Sequence, residues 1–198
     1  DGSTDKTAEL AKISGAKVIS MPFNVGVGGA LRVAFKYAVD NEFDAVIQID
    51  ADGQHLPSEV NKLLELSTKD SVVVGSRFLN QNNSYDVGSA RRIAMIILAK
   101  LTSKICKTRL TDVTSGFRIA TGRAIKIFST EYPREYLGDT VESLIIAHKA
   151  GIEIKEVQVN MKARASGTPS QNFIKSTWYL FRAILIICLA TIKKPNFK

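Results

Sequence analysis

Residues 47–55 read Ile47-Gln48-Ile49-Asp50-Ala51-Asp52-Gly53-Gln54-His55. The run Ala45-Val46-Ile47-Gln48-Ile49 has the β-branched content of a strand, and it ends on two carboxylates at positions i and i+2. Carboxylates at that spacing, just past a buried strand, converge on one side of the loop, and Gly53 lets the backbone turn beneath them. Two such charges repel unless something neutralises them. Hard oxygen donors suit Mg2+ or Mn2+, an ion that keeps waters and bridges to a substrate diphosphate. The plainer alternative is a solvated acidic turn capping the helix that begins at Pro57. His55, in the same loop, is expected as a polar surface residue.

Outward from this stretch, turn signals and apolar runs alternate in the βα manner. Ser3 or Asp5 caps a first helix that Gly15 stops, and residues 16–20 read as a short strand ended by Met21-Pro22. Gly26-Val27-Gly28-Gly29 opens a helix in which Ala30, Val33, Ala34, Tyr37 and Ala38 recur at helical spacing. Pro57 starts another, with Val60, Leu63, Leu64 and Leu66 on its buried face, and residues 71–75 form a third strand. This alternation predicts a mostly parallel sheet covered by helices, with ligands at the carboxyl ends of the strands. Beyond Arg77 come a polar loop over 80–86, a long helix over 88–104, a strand over 117–120 and a short helix over 123–128. A helix over 139–149 ends at Gly151, a strand covers 152–161, residues 162–171 are basic and Ser/Gly-rich, and 172–192 is one apolar helix. The chain opens on a turn feeding a helix, so Asp1-Gly2-Ser3 reads like the loop after a missing strand.

With 198 residues, 45% apolar and 23% charged, the chain suits one domain with a full core and excludes intrinsic disorder. Two cysteines, Cys106 and Cys188, exclude a disulfide scaffold and read as reduced thiols. With no secretory signal at the start, they favour an intracellular site. The 27 basic and 19 acidic residues leave a net charge of +8. That balance fits an anionic partner (nucleic acid, phosphorylated metabolites or an anionic membrane) or simply a lysine-rich solvated surface.

Two classes of phosphate enzyme place Asp-x-Asp after an apolar strand. In haloacid-dehalogenase-like phosphatases the first Asp is a nucleophile near the chain start and a Thr follows the Gly; here the residue is Gln54, after two helices and a strand. In GT-A glycosyltransferases the motif binds the metal that holds a nucleotide-sugar diphosphate. The wider series decides between them. Asp1-Gly2-Ser3-Thr4-Asp5-Lys6-Thr7, Asn24-Val25-Gly26-Val27-Gly28-Gly29-Ala30 and Asp50-Ala51-Asp52-Gly53-Gln54-His55 occur in order. Gly75-Ser76-Arg77-Phe78, Arg91-Arg92, Thr114-Ser115-Gly116-Phe117-Arg118, Glu156-Val157-Gln158-Val159 and Arg164-Ala165-Ser166-Gly167 follow. This series closely resembles family 2 glycosyltransferases, in the branch that includes dolichyl-phosphate mannose synthase and bacterial polyprenyl-phosphate glycosyltransferases. The resemblance runs from Asp1 to about residue 170.

The resemblance implies a GT-A (Rossmann-like) α/β domain over residues 1–171 that moves a sugar from a UDP- or GDP-type donor, with inversion, to an acceptor such as a polyprenyl phosphate. By position, Asp1 matches an Asp that contacts the nucleotide base, and the family's preceding strand with its Pro-x-Tyr-Asn-Glu segment is absent from this sequence. Asp50 and Asp52 match the nucleotide-sugar site and, with Gln54, the ligands of Mg2+ or Mn2+. Arg77, Arg91 or Arg92, and Arg164 match basic residues that grip an acceptor phosphate, a task that suits the planar guanidinium fork. The glycines at 26, 28 and 29 either cradle phosphate at a helix start or allow close helix–strand packing. An NAD-binding fold is set aside, since no acidic residue ends a second strand at the expected distance. A lipid phosphate is ionised near neutral pH and needs no base; a sugar hydroxyl does, with Asp112 the first candidate and Glu142 the second.

Residues 178–192 would form a helix roughly 22 Å long, short of the roughly 30 Å bilayer core, and Arg182 interrupts it. Trp178 and Tyr179 beside Lys175 and Arg182, with Lys193 and Lys194 beyond, resemble an interfacial anchor over 172–198. A buried helix or a homo-oligomer interface is the other reading. The implied partners are a nucleotide-sugar, a lipid phosphate and the cytoplasmic face of a membrane, in cell-envelope or glycan synthesis, and no nucleic acid. Two competing classes remain open at this point: a sugar-phosphate nucleotidyltransferase, and a non-catalytic membrane-associated subunit.

Overall fold

Residues 71–76 form the most enclosed strand of the domain, every position buried, and the rest of the fold is arranged around it. The computed structural model describes residues 1–80, 89–133 and 139–162, together with 185, 187 and 189–192; the side chains of 89–91 are also left undescribed. In chain order the elements are α1 (Thr7–Ile13), α2 (Val27–Asp40), β1 (Ala45–Gln48), a 3-10 turn (Pro57–Glu59) leading into α3 (Val60–Leu66), and β2 (Ser71–Ser76). Then come α4 (Ser89–Cys106), β3 (Arg118–Thr121), α5 (Arg123–Glu131), α6 (Asp139–Lys149) and β4 (Glu153–Gln158).

The sheet order is β1-β3-β2-β4. β4 runs parallel to β2, while β3 is antiparallel to both β1 and β2. β1, β2 and β4 therefore point the same way, as the βα alternation predicts, and β3 is inserted between two of them in the opposite sense. Side chains alternate across the sheet with period two. Val72, Val74, Ala120 and Ile154 face a core shared with α2, α4, α5 and α6, whereas Val73, Ile119, Phe117 and Val159 pack with Leu63 of α3. Helices cover both faces, so β2 is apolar on both sides and reads as a continuous Val run rather than an alternating one. Phe35 of α2 locks onto α5, with ring centroids 5.2 Å from Phe128 and 5.5 Å from Tyr132. Cys106 is buried at the end of α4, and desolvation pushes its thiol up to about 12.

One expectation changes here. Residues 16–20 form no strand: among the described residues the segment pairs with no neighbouring strand, and Ile19 is exposed. β propensity alone does not hold an extended segment that lacks a ladder partner. The helix expected over 172–192 lies mostly outside the described residues. Its described positions are helical, with Ile187 and Ala190 buried in the main core. Lys149 Nζ at the end of α6 donates to the carbonyls of Ala190 at 2.6 Å and Thr191 at 2.9 Å.

Candidate functional site

β1 delivers its last residue, Gln48, to the carboxyl edge of the sheet, and the chain turns there through Asp50, Ala51, Asp52 and Gly53. Gly53 takes φ +77°, a conformation that favours glycine. Asp52 Oδ1 accepts the Gln54 N–H at 3.0 Å, closing the turn. The Asp50 carboxylate is about half exposed and receives the Gln48 amide at 3.5 Å. His55 is a correction to the sequence reading. It is buried, its ring stacks on Phe117 with centroids 4.9 Å apart, and its Nδ1 accepts the Asp50 N–H at 2.9 Å. Burial lowers its pKa, against the opposing pull of the Asp50 and Asp52 charges, so near neutral pH the proton sits on Nε2 alone. The loop is tied to the segment after β4, where Lys162 N donates to the Gln54 carbonyl at 3.1 Å and the Gln54 amide donates to the Lys162 carbonyl at 3.5 Å.

Gly116 brings a second segment against this loop. A Cβ there would stand 3.1 Å from Gln48 Nε2 and 3.3 Å from Asp50 Oδ2, so the backbone lies against the carboxylate at a distance any side chain would crowd. The segment is held from behind by Arg118, whose guanidinium donates to the carbonyls of Val113, Ser115 and Thr140 and to Ser143 Oγ. One buried side chain thereby fixes the turn beside Asp50 and the first turn of α6, where Glu142 sits half-buried.

Asp112 is placed differently from its sequence role. Its carboxylate takes Arg77 Nε at 2.6 Å, Arg77 Nη2 at 2.8 Å, the Arg77 backbone N–H at 3.1 Å and the Thr114 hydroxyl at 3.2 Å, with none of the side chain exposed. A general base needs a lone pair within reach of the substrate proton, and all of these are turned inward. The same pair places Arg77: its guanidinium is clamped bidentately on Asp112, with 11% of its side chain exposed. Behind them Glu156 of β4 accepts the N–H groups of Thr111 and Asp112 and the Thr111 hydroxyl, at 2.7–2.9 Å. Burial pushes the Glu156 pKa up despite those hydrogen bonds.

The remaining positions separate. Asp1 Oδ1 accepts the Val25 N–H at 2.7 Å, which sets the Asp1 turn against the loop that opens α2. Arg92 is exposed on α4; the Arg91 side chain and Arg164 lie outside the described residues. Among the described residues no three His, Cys, Asp or Glu side chains converge as a metal site. The Asp50–Asp52–Gln54 loop instead offers two carboxylates and an amide, an all-oxygen set that fits a divalent ion completing its shell with water and diphosphate oxygens. Sequence reasoning missed His55, Arg118 and Glu156 as parts of the site's frame; a charged residue opening the wholly buried β3 is the signal that marks Arg118.

Solved structures with this fold include glucosyl-3-phosphoglycerate synthase from Mycobacterium tuberculosis in complex with phosphoglyceric acid. Its TM-score is 0.67 at 20% identity, over 96% of this chain and 66% of that one. The same enzyme with Mn2+ and UDP-glucose gives 0.62 at 22% identity, over 94% and 65%. The chain thus spans about two thirds of the length of those solved chains. Among curated proteins it is 31% identical to an uncharacterized protein of Methanocaldococcus jannaschii, over 93% of this chain and 77% of that one. It is 30% identical to the UDP-N-acetylglucosamine–dolichyl-phosphate N-acetylglucosaminyltransferase of Methanococcus voltae, over 80% and 71%. Identity to the undecaprenyl-phosphate mannosyltransferase of Micrococcus luteus is 26%, over 84% and 71%. The model of glycosyl transferase family 2 matches residues 1–129, and the chain belongs to that family of sugar-transferring enzymes.

Proposed function

We propose that the chain transfers a sugar from a nucleotide-sugar to a polyprenyl phosphate, with inversion at the anomeric carbon and with Mg2+ or Mn2+ at the Asp50 loop. The observation that carries this is the Asp50 carboxylate: half exposed at the carboxyl edge of the sheet, on a backbone whose N–H is fixed by His55 Nδ1, and walled by Gly116. Asp50, Asp52 and Gln54 would hold the ion, which when bound supplies positive charge to the departing diphosphate. Asp1 and the loop it closes beside α2 would receive the nucleotide. The relatives named for dolichyl and undecaprenyl phosphate acceptors support a lipid phosphate here. So does the inward turn of Asp112, because an ionised phosphate attacks without giving up a proton and requires positioning rather than a base. Glu142 is the carboxylate left for the base role if the acceptor is a hydroxyl. Arg92 and Arg164 are the cations for the acceptor phosphate, and residues 172–198 add a helix at the cytoplasmic face of the membrane or between copies of the chain.

The test is to incubate the protein with a panel of nucleotide-sugars, Mn2+ or Mg2+, and a polyprenyl phosphate, following nucleoside diphosphate release. Release that needs all three supports the reading. Pyrophosphate production would make the protein a nucleotidyltransferase, and release unaffected by EDTA would remove the metal. Asp50→Asn and Asp52→Asn should abolish the metal dependence of donor binding in calorimetry, while the thermal melt stays unchanged because the loop lies outside the core.

A further inference from the structure

Helix α4 is apolar on both of its sides. Met95, Leu98, Ala99, Thr102 and Cys106 fall on one side of the helix and are buried. On the opposite side Ile93 and Ile97 lie one turn apart, 59% and 37% exposed, with Ile96 at 45% and Leu101 at 36% flanking them. A helix side that meets only water carries polar residues there instead. Lys100 and Lys104 continue the line of Ile93 and Ile97 and are exposed. From Ser89 to Arg109 the chain carries six basic residues and no acidic one.

We propose that this face of α4 docks the chain on an anionic lipid surface, its isoleucines in the acyl boundary and its lysines among the headgroups. The charge selects the occupant: a two-fold contact between copies would set one cationic face against its twin, whereas an anionic bilayer complements it. At about 1.5 Å per residue α4 is roughly 27 Å long. Among the described residues no helix is long and apolar enough to cross a membrane, so α4 lies along the surface. The choice of a lipid partner rests on the reading of a membrane-borne acceptor, but docking is measured without turnover, so the two fail separately.

The full chain is sedimented with phosphatidylcholine vesicles with and without phosphatidylglycerol, beside the double variants Ile93→Gln/Ile97→Gln and Lys100→Glu/Lys104→Glu. These side chains are exposed, and thermal melts check that the variants stay folded. The wild type should bind the anionic vesicles. The isoleucine variant should lose about tenfold of its partition on any vesicle, and the lysine variant about fivefold per cation on anionic vesicles only. Both should keep turnover on a short, water-soluble polyprenyl phosphate. Variants that bind as the wild type does overturn the proposal and move the contact elsewhere, residues 172–198 first. A wild type that ignores vesicles overturns it too; if sedimentation velocity then shows a dimer that the isoleucine variant dissolves, the occupant is a second copy.

Discussion

Asp112→Asn takes one charge out of the interior with almost no change in volume. In the wild type the carboxylate meets Arg77 Nε at 2.6 Å and Nη2 at 2.8 Å, with side chains 0% and 11% exposed. Asparagine keeps one acceptor and turns an NH2 toward one of the two guanidinium donors, so a donor faces a donor. Breaking a buried ion pair from one side costs about 3–5 kcal/mol, because the other charge remains in the interior. An exposed pair would cost about 0–1 kcal/mol. Against a domain stability of about 5–15 kcal/mol, the buried figure removes a large share. At a urea slope of about 2 kcal/mol per molar, a loss of 4 kcal/mol lowers the midpoint by about 2 M. Urea melts followed by circular dichroism read this directly, with the slope itself unchanged. Asp112→Asn with a midpoint within about 0.5 M of wild type, a loss near 1 kcal/mol, would refute the assignment of this pair as a buried clamp. If activity vanished while stability held, Asp112 would return as the base.

Glu59 ties the start of α3 to the segment after β4. Its carboxylate accepts Lys62 Nζ at 2.7 Å and Asn160 N–H at 3.1 Å. Burial raises its pKa, but the hydrogen bonds from Lys62 and Asn160 outweigh this and hold it below the ordinary 4.5. The unfolded chain therefore binds the proton more readily, and the Glu59 contribution is present above pH 4.5 and lost as pH falls below it. Glu59→Gln should cost about 1 kcal/mol at pH 7, with the gap to wild type closing in urea melts below pH 4.5; a constant gap contradicts the linkage. Thr102 is fully buried in α4, and its hydroxyl has no hydrogen-bond partner among the described residues. Thr102→Val keeps the shape and removes a desolvated hydroxyl, so the thermal midpoint should hold or rise, by up to about 1 kcal/mol of stability; a fall of that size would reveal a hidden partner.

What the sequence made legible was local. β2, the β1–Asp50 turn and α2 each announce themselves within a dozen residues, through a Val run, a strand ending in Asp-x-Asp, and a glycine cluster before helical spacing. The insertion of β3 was hidden because four residues, Arg118–Thr121, carry no signal of direction; their sense is set by pairing with strands 40 and more residues away. Residues 16–20 show the converse, a strand pattern with no ladder to join. His55 looked like a loop residue because its neighbours in sequence are polar, while the ring that covers it, Phe117, is distant in the chain.

The same separation of local from distant hides the setting of Asp112 and leads back to the chemistry. An acid beside a Thr-Ser-Gly turn has the local look of a base, but its partner, Arg77, and the carboxylate behind it, Glu156, lie 35 and 44 residues away. Brought together by β2 and β4, Arg77 pairs with the Asp112 carboxylate while Glu156 accepts the backbone N–H groups of Thr111 and Asp112, and together they stiffen the turn whose Gly116 abuts Asp50. Carboxylates at the carboxyl edge then divide into two kinds. Asp112 and Glu156 are saturated with hydrogen bonds and hold the frame; Asp50 and Asp52 sit in the loop above it, Asp50 half exposed. A frame that withdraws its proton acceptor while presenting oxygen ligands to solvent suits an acceptor that arrives already ionised. A lipid phosphate meets that condition, and a sugar hydroxyl meets it only if Glu142 turns into the site.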